Sequence, residues 1–379
     1  MNDKINEVLI EMATQLDLKR EALLQLNQID VENCDQEDKS LYDRLFINNK
    51  KIDGMIDSLH QVIKKESPLN KTLYSFEHEN GLSIANKTVP FGTIMIIYES
   101  RPDVTVEATA TALKSGNKIL LKGGKEAKNS NLFLHACWLQ ALSKVGFLED
   151  WIRYLNMDRI ALQQFLKEPD TNIDLIVPRG GSKLIEYVKS VAQCPVLVSG
   201  RGNNFLYVAE SAKLDMALDV IVQSKISKIS ACNALDKVLI EEKVAGHFIQ
   251  ELKSQLLDKE VEIIESPTVD IWQEEFLDKK IVLATVPDLK TGIEIINKYS
   301  GGHSATIISE NDVEVEQFMQ EVDCAAVYHN ASTRFTDGYQ FGLGAEMAIS
   351  TEKLHHRGPL GLEELVTNKW YIKGNGQTR

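Results

Sequence analysis

Two stretches of this chain read as a short apolar strand, a pair of glycines and the start of a helix. One is Ile173-Asp174-Leu175-Ile176-Val177-Pro178-Arg179-Gly180-Gly181-Ser182-Lys183-Leu184-Ile185. The other, upstream, is Asn117-Lys118-Ile119-Leu120-Leu121-Lys122-Gly123-Gly124-Lys125-Glu126. Glycine lets the backbone turn tightly and approach a ligand closely. The helix that follows presents N–H groups and the positive end of its dipole to an anion. Two such corners in one chain suggest a dinucleotide site on an α/β sheet. Taken singly, either corner is as readily a plain tight turn.

The pattern around the corners supports the sheet. Residues 94–97 read as a buried strand, 104–113 as a helix, 119–121 as a strand, 129–142 as a helix and 173–177 as a strand, with a helix after Gly181. A strand at 205–208 and a helix at 213–224 follow. A second block then reads strand 237–240, helix 244–256, strands 261–264 and 281–285, helix 289–299, strand 305–308, helix 313–321 and strand 325–328. Such alternation implies parallel sheets covered on both faces. The length, 379 residues, fits two or three domains. The expected division is 1–205 for a Rossmann-like cofactor-binding domain, 206–362 for an α/β catalytic domain, and 363–379 for a C-terminal strand.

That strand has a possible partner. Residues ahead of Pro68 are helical in pattern, but over 71–89 the period changes to extended runs flanking Asn80-Gly81. An Asn-Gly pair is a strong hairpin signal, because a type I′ turn needs positive φ at both central residues. The alternating segment 366–373 could extend the hairpin's sheet, in the same subunit or in a neighbour's, as cover for an unpaired edge. Hairpin and tail together make a small β oligomerisation element, and the expected assembly is a homo-oligomer, most simply a dimer.

Charge and cysteine usage exclude several classes. A net charge of −13 argues against a general nucleic-acid binder, which needs a concentrated basic face. The five cysteines are widely spaced with no CxxC pair, which gives neither a disulfide framework nor a metal site and fits a reducing, cytoplasmic compartment. Asp3, Glu7 and Glu11 among Ile5, Val8, Leu9 and Met12 make an amphipathic helix rather than a secretory leader. No apolar run approaches a membrane span, so no membrane partner is expected. Cys232, in Ser230-Ala231-Cys232-Asn233, has two cations a few residues upstream, Lys225 and Lys228. Positive charge favours the nucleophilic thiolate. On spacing alone a small buried apolar role is the commoner fate.

Longer strings carry a resemblance. Val89-Pro90-Phe91-Gly92, Ile97-Tyr98-Glu99-Ser100-Arg101-Pro102-Asp103-Val104-Thr105-Val106, Leu121-Lys122-Gly123-Gly124-Lys125-Glu126, Pro178-Arg179-Gly180-Gly181 and Cys232-Asn233 are its shorter parts. Asn330-Ala331-Ser332-Thr333-Arg334-Phe335-Thr336-Asp337-Gly338, Phe341-Gly342-Leu343-Gly344-Ala345-Glu346 and Lys353-Leu354-His355-His356-Arg357-Gly358-Pro359-Leu360-Gly361-Leu362-Glu363 are its longer ones. In this order they resemble the γ-glutamyl phosphate reductase family, also called glutamate-5-semialdehyde dehydrogenase, of the aldehyde dehydrogenase superfamily.

The resemblance implies an aldehyde dehydrogenase-like fold. It also implies NADPH-dependent reduction of L-glutamyl 5-phosphate to the semialdehyde, in proline synthesis. Cys232 would attack the acyl carbon, and its backbone N–H and the Asn233 side chain would hold the oxyanion. Arg101, Arg334 and Arg357 would clamp the phosphate and the α-carboxylate. Lys122 would meet the adenosine ribose and its 2′-phosphate, Gly180, Gly181 and Ser182 the pyrophosphate, and Glu275 the nicotinamide ribose; no metal is implied. The kinase that makes glutamyl phosphate, glutamate 5-kinase, is an implied functional partner. The loop Val198-Ser199-Gly200-Arg201-Gly202-Asn203-Asn204 has no carboxylate, as suits an enzyme that must not hydrolyse its thioester. Ile226-Ser227-Lys228-Ile229 and Asn204-Phe205 depart from the family's Thr-Gln-Arg-Pro and Cys-His. The departures leave as alternatives a reductase of a related acyl phosphate, such as an N-substituted glutamyl phosphate, or a silent nucleotide-binding paralogue.

Overall fold

The computed structural model describes residues 2–35, 39–198 and 200–379. Its strands are β1 Thr72–Glu77, β2 Ser83–Pro90, β3 Thr93–Tyr98, β4 Lys118–Gly123, β5 Ile152–Tyr154, β6 Leu175–Arg179, β7 Asn204–Val208, β8 Leu235–Glu241, β9 Glu262–Ile264 and β10 Lys280–Val286. The remaining strands are β11 Ser304–Ile308, β12 Ala326–His329, β13 Ala348–Ser350, β14 Gly358–Leu360 and β15 Val366–Lys373. Two compact units divide the chain. One runs to Val198 and takes up Gly342–Ala348 and Leu360–Arg379; the other runs on to Phe341 and takes up Ile349–Pro359.

The first unit is built on a parallel sheet of order β5-β4-β3-β6. Ile94, Met95, Ile96 and Ile97 are all buried, as a strand covered on both faces requires. Pro102 opens the crossover helix Pro102–Lys114, where its missing N–H costs nothing, and Ala108, Ala110 and Ala112 let that helix pack closely. The helices Asn2–Leu18, Arg20–Glu32 and Asn49–Lys64 bear out the helical reading of the amino-terminal region. Ile5, Leu9, Met12, Leu23, Ile52 and Leu59 join the core that covers this sheet. Tyr98 lies in register with both Gly123 and Arg179, so the carboxyl ends of β3, β4 and β6 are level.

The hairpin forms, with a different turn. His78 N–H donates to the Leu82 carbonyl at 2.8 Å and Gly81 N–H to the His78 carbonyl at 2.8 Å. Of the Asn-Gly pair Gly81 alone has a positive φ, 87°, so this is not the type I′ turn that the dipeptide suggests. The Asn80 side chain instead accepts from Leu82 N–H at 3.2 Å, an Asx-type bond that holds the corner without a left-handed asparagine. β15 pairs antiparallel with β2 of the same chain, giving the sheet order β1-β2-β15. Tyr74, Asn86 and Trp370 share one register row, and Phe76, Ile84 and Ile372 another, so one face carries an exposed apolar stripe.

The second unit is a six-stranded parallel sheet of order β12-β11-β7-β8-β10-β9. β7, β8 and β11 are buried throughout. The helices Leu214–Ile226 and Glu242–Asp258 pack apolar side chains on one face, and Leu289–Tyr299 and Asp312–Glu321 on the other. Among the described residues no helix is long and apolar enough to cross a membrane.

Candidate active site

In the first unit the chain leaves β3 for β4 on one side and β6 on the other, so the order reverses between β3 and β6. Open parallel sheets bind ligands at the carboxyl ends beside such a reversal. Both glycine corners are there. At Gly180 a Cβ would lie 2.5 Å from the Glu99 carboxylate and 2.8 Å from Leu184 Cδ2, so both side-chain ends would have to shift. Gly181 N–H donates to that carboxylate at 3.2 Å, while the Cβ direction of Gly181 meets nothing within 4 Å. Lys122 is half-buried and its ammonium donates to the Gly123 carbonyl at 2.6 Å; burial pulls its pKa down, against Glu126 and Asp158. Open space at Gly181, a cation at Lys122 and a carboxylate at Glu99 suit the phosphates and the ribose hydroxyls of a dinucleotide. The Ser182 side chain lies outside the described part of the structure.

The upstream corner is not the direct strand-to-helix turn that the sequence suggests. A single 3-10 turn, Lys125–Ala127, intervenes before the helix Lys128–Val145. It folds Glu126 back over Gly124 so that its carboxylate accepts from Ser100 N–H and Oγ–H, both at 2.8 Å. Ser100 holds a left-handed φ of 49° there, a conformation costly for a residue with a side chain. Arg101 follows as the N-cap residue of the crossover helix.

In the second unit the chemistry collects at the amino edge of the sheet. Cys232 is half-buried in the loop between the helix Leu214–Ile226 and β8. The buried Asn204, at the start of β7, directs its amide nitrogen at the carbonyls of Gly202, Cys232 and Ala234, at 2.8, 2.8 and 2.7 Å. A Cβ on Gly202 would sit 1.8 Å from the Cys232 carbonyl oxygen, so the two loops touch backbone to backbone.

Asn233 binds the motif around Arg334 to this loop. Its amide nitrogen donates to the Arg334 carbonyl at 3.2 Å and the Thr336 carbonyl at 2.9 Å. Thr333 Oγ1–H donates to the Asn233 carbonyl at 2.8 Å. An amide has two N–H donors, and both of Asn233's are taken. The expected oxyanion contact from the Asn233 side chain is therefore corrected: this residue staples two loops. The Arg334 guanidinium, pulled down by burial, is raised again by the charge of Cys232 and of Asp337, and its Nε–H donates to Ser227 Oγ at 3.2 Å. A half-buried cation within electrostatic reach of the sulfur favours the thiolate.

Behind the loop, Asp236 accepts from the Lys225 ammonium at 2.9 Å and from Phe276 N–H at 3.0 Å. Lys237 donates to the Glu274 carbonyl at 2.8 Å and lies 3.7 Å above the Phe276 ring; burial pushes its pKa down to about 8. These bonds fix Glu275, which accepts from Gly202 N–H. Burial, then the Asp236 charge, pushes its carboxyl up to about 7, with Gly202 N–H, Arg201 and Lys237 opposing. Arg357 is held otherwise. Its Nη1 meets Asp323 Oδ1 at 2.6 Å and its Nη2 the Asp323 carbonyl at 2.9 Å, beside Gly302. The second unit thus gathers Cys232, Asn233, Arg334 and Glu275 around one loop, with Arg357 on an ion pair of its own. Lys122, Gly180, Gly181 and Arg101 belong to the first unit.

Residues 4–271 match the model of the aldehyde dehydrogenase family. The chain belongs to that family. A gamma-glutamyl phosphate reductase of Thermotoga petrophila is 42% identical over 99% of this chain and 94% of its own length. The crystal structure of the gamma-glutamyl phosphate reductase of Thermotoga maritima superposes with a TM-score of 0.94 at 41% identity, covering 100% of this chain and 95% of that one. A glyceraldehyde-3-phosphate dehydrogenase of Methanocaldococcus jannaschii, complexed with NADP, shares the fold at 15% identity, with a TM-score of 0.73 over 99% of this chain and 90% of that one. The protein is an oxidoreductase acting on an aldehyde or acyl phosphate, its substrate is a small molecule, and its family uses a nicotinamide cofactor.

Sequence reasoning missed three supports of the aldehyde dehydrogenase site. Asn204 stood out only as a departure from the family's cysteine. Gly202 was visible only as one of two glycines in a loop. Lys225 stood out only as a cation upstream of Cys232; its pairing with Asp236, eleven positions on, gave no signal, because only the packing of β8 against the preceding helix joins them.

Proposed function

We propose that this protein reduces L-glutamyl 5-phosphate to L-glutamate 5-semialdehyde with NADPH, releasing phosphate, as a cytoplasmic enzyme of proline synthesis. The reading rests on full-length similarity to gamma-glutamyl phosphate reductases and on one local observation: Asn233 ties the Cys232 loop to Arg334, whose guanidinium senses the charge of Cys232.

The Cys232 thiolate attacks the acyl carbon. A carbon–sulfur bond forms, the carbon–oxygen bond to phosphorus breaks, and phosphate departs with the electron pair. The Cys232 backbone N–H holds the oxyanion, and its peptide is fixed by Asn204 and Gly202. Arg334, with Arg101 and Arg357, answers the charge of phosphate and α-carboxylate. NADPH, when bound, would supply the hydride for the thioester carbon; the carbon–sulfur bond then breaks, the electron pair returns to Cys232 as thiolate and the aldehyde leaves. Lys122, Gly180, Gly181 and Ser182 would hold the adenosine half of the cofactor, and Glu275 the hydroxyls of the nicotinamide ribose. No carboxylate stands in the loop 198–204 to activate water against the thioester; Ser199 of that loop lies outside the described residues.

The test is phosphate-dependent reduction of NADP by glutamate semialdehyde. Cys232→Ala is expected to remove turnover and leave NADP binding unchanged; retained turnover would rule out the covalent route. The exposed stripe of Tyr74, Phe76, Trp370 and Ile372 supports a homo-oligomer joined through the β1-β2-β15 sheet. Glutamate 5-kinase enters as a functional partner only through the proposed substrate, which it would make. Light scattering checks the assembly, and a monomer at working concentration would refute it.

A further inference from the structure

The second unit grips Arg334 by its backbone and by its side chain. Its carbonyl accepts from the Asn233 amide at 3.2 Å, its N–H donates to Ser332 Oγ at 3.1 Å, and its Nε–H donates to Ser227 Oγ at 3.2 Å. Each of these partners is itself held. Ser332 Oγ lies 2.6 Å from Ser224 Oγ, which is buried on the helix Leu214–Ile226, and Ser227 is the C-cap residue of that helix. The Asn233 carbonyl takes the Thr333 hydroxyl at 2.8 Å. The end of the helix, the Cys232 loop and the 3-10 turn Thr333–Phe335 therefore make one frame around this arginine. Ser227 uses only the Nε–H. The Nη1 and Nη2 groups, the fork of the guanidinium, have no hydrogen-bond partner among the described residues. Asp337, whose charge acts on Arg334, is turned into its own loop. Its Oδ1 accepts from Tyr339 N–H at 2.9 Å and from Gln340 N–H at 3.3 Å, and among the described residues no ion pair joins it to Arg334. Arg357, by contrast, has both Nη1 and Nη2 on Asp323. A half-buried guanidinium that is fixed in place with its fork open is a receptor for a bidentate anion.

We infer that Ser227 is a positioning residue for Arg334, and that the open fork of Arg334 receives the phosphate of the acyl phosphate rather than the α-carboxylate. The inference deepens the function proposed above and rests on it for the identity of the substrate. In a glutamyl phosphate a single oxygen joins the phosphorus to the carbon that Cys232 attacks, while the α-carboxylate stands at the far end of the chain. Arg334 is bonded through its carbonyl to the residue next to the nucleophile, and its guanidinium is within electrostatic reach of Cys232. The anion beside the reacting carbon is the one this arginine meets. As the carbon–oxygen bond breaks, the electron pair moves onto the phosphate, so its bonds to the fork strengthen on the way to the transition state. Ser227 acts through Arg334 and touches no substrate atom. It fixes the plane of the guanidinium in advance, so that a long, rotamer-rich side chain need not be ordered when the anion arrives.

Protection of Cys232 from iodoacetamide by inorganic phosphate, read by peptide mapping of the full chain, measures this site without turnover. Phosphate is expected to slow alkylation of Cys232 in the unaltered protein. In Ser227→Ala the half-protecting concentration should rise by about 3–10-fold, the worth of one ordinary hydrogen bond. Ser227→Thr keeps a hydroxyl and should stay within about twofold of the parent. Arg334→Lys keeps the charge but loses the fork, and should rise by about tenfold or more. A kinetic arm follows phosphate-dependent reduction of NADP by glutamate semialdehyde. Ser227→Ala should raise the KM for phosphate by about 3–10-fold and leave the KM for the semialdehyde within about twofold. An equal rise in both KM values, or a rise for the semialdehyde alone, would overturn the assignment to phosphate. Phosphate that fails to protect Cys232 in the unaltered protein, or protects it equally well in Ser227→Ala, would overturn it too. Absence of phosphate-dependent turnover in the unaltered enzyme would remove the proposed reaction, and the protection assay would still decide the anion site.

Discussion

Replacing Gly202 with alanine tests whether the nucleophile's position depends on the backbone contact beneath it. The new Cβ would lie 1.8 Å from the Cys232 carbonyl oxygen, 2.5 Å from its carbon and 2.6 Å from its Cα. All three are main-chain atoms, so no rotamer change relieves the overlap. A carbon and an oxygen approach to about 3.3 Å, so one loop must move by about 1.5 Å. Asn204 grips both loops, through the Gly202 and Cys232 carbonyls at 2.8 Å each, so the shift also strains that clamp. Misplacing a reacting group by about 1 Å costs a rate factor of about 10², or about 2.7 kcal/mol of barrier. Phosphate-dependent NADP reduction should therefore fall by about 10²-fold or more in Gly202→Ala, and alkylation of Cys232 by iodoacetamide should slow. Gly246→Ala is the control. Gly246 lies inside the helix Glu242–Asp258 with nothing within 4 Å, so alanine there should leave the rate unchanged and add about 0.8–1 kcal/mol of stability. Gly202→Ala with activity within threefold of the parent and an unchanged alkylation rate would refute the reasoning.

Asp236→Ala strands the Lys225 ammonium, whose side chain is 0% exposed, and chemical denaturation should report a loss of about 3–5 kcal/mol. Asp236→Asn should lose less, since the amide oxygen can still accept from Lys225. Glu275 binds its proton more tightly folded, near pH 7, than unfolded, near 4.5, so the native state holds the extra proton between those values. Its contribution to stability is complete below pH 4.5 and is lost as pH rises to 7, at most about 3 kcal/mol. Glu275→Gln should flatten the stability profile across that window; an unchanged slope between pH 4.5 and 7 would count against the buried carboxyl.

Several features were legible in the order of residues. Residues 94–97 and 205–208 are continuous apolar runs, and 305–308 is broken only by Thr306; such runs form strands covered on both faces. The hairpin was legible from its Asn-Gly pair, though the turn type was not, because the Asn80 side chain bonds locally and removes the need for positive φ. β5 and the helix Arg159–Lys167 escaped notice: three residues with one fully buried carry no period, and the helix ends only five residues before the strand-like run at 173–177. Cys232 and Arg334 were visible through the strings that contain them, but what Asn233 does was not. An amide donor serves whichever carbonyl the fold brings to it, and here those carbonyls come from Arg334 and Thr336, over a hundred residues on.

Periodicity and glycine placement are local properties, written into successive residues, and they located most of the strands and helices and the two glycine corners. Which charges face one another is not local. The pairing of Lys225 with Asp236 and the proton held by Glu275 arise only when distant segments are buried together and water is removed from between them. That is why the strings of the sequence singled out Cys232, while the tertiary structure decided how its loop is held.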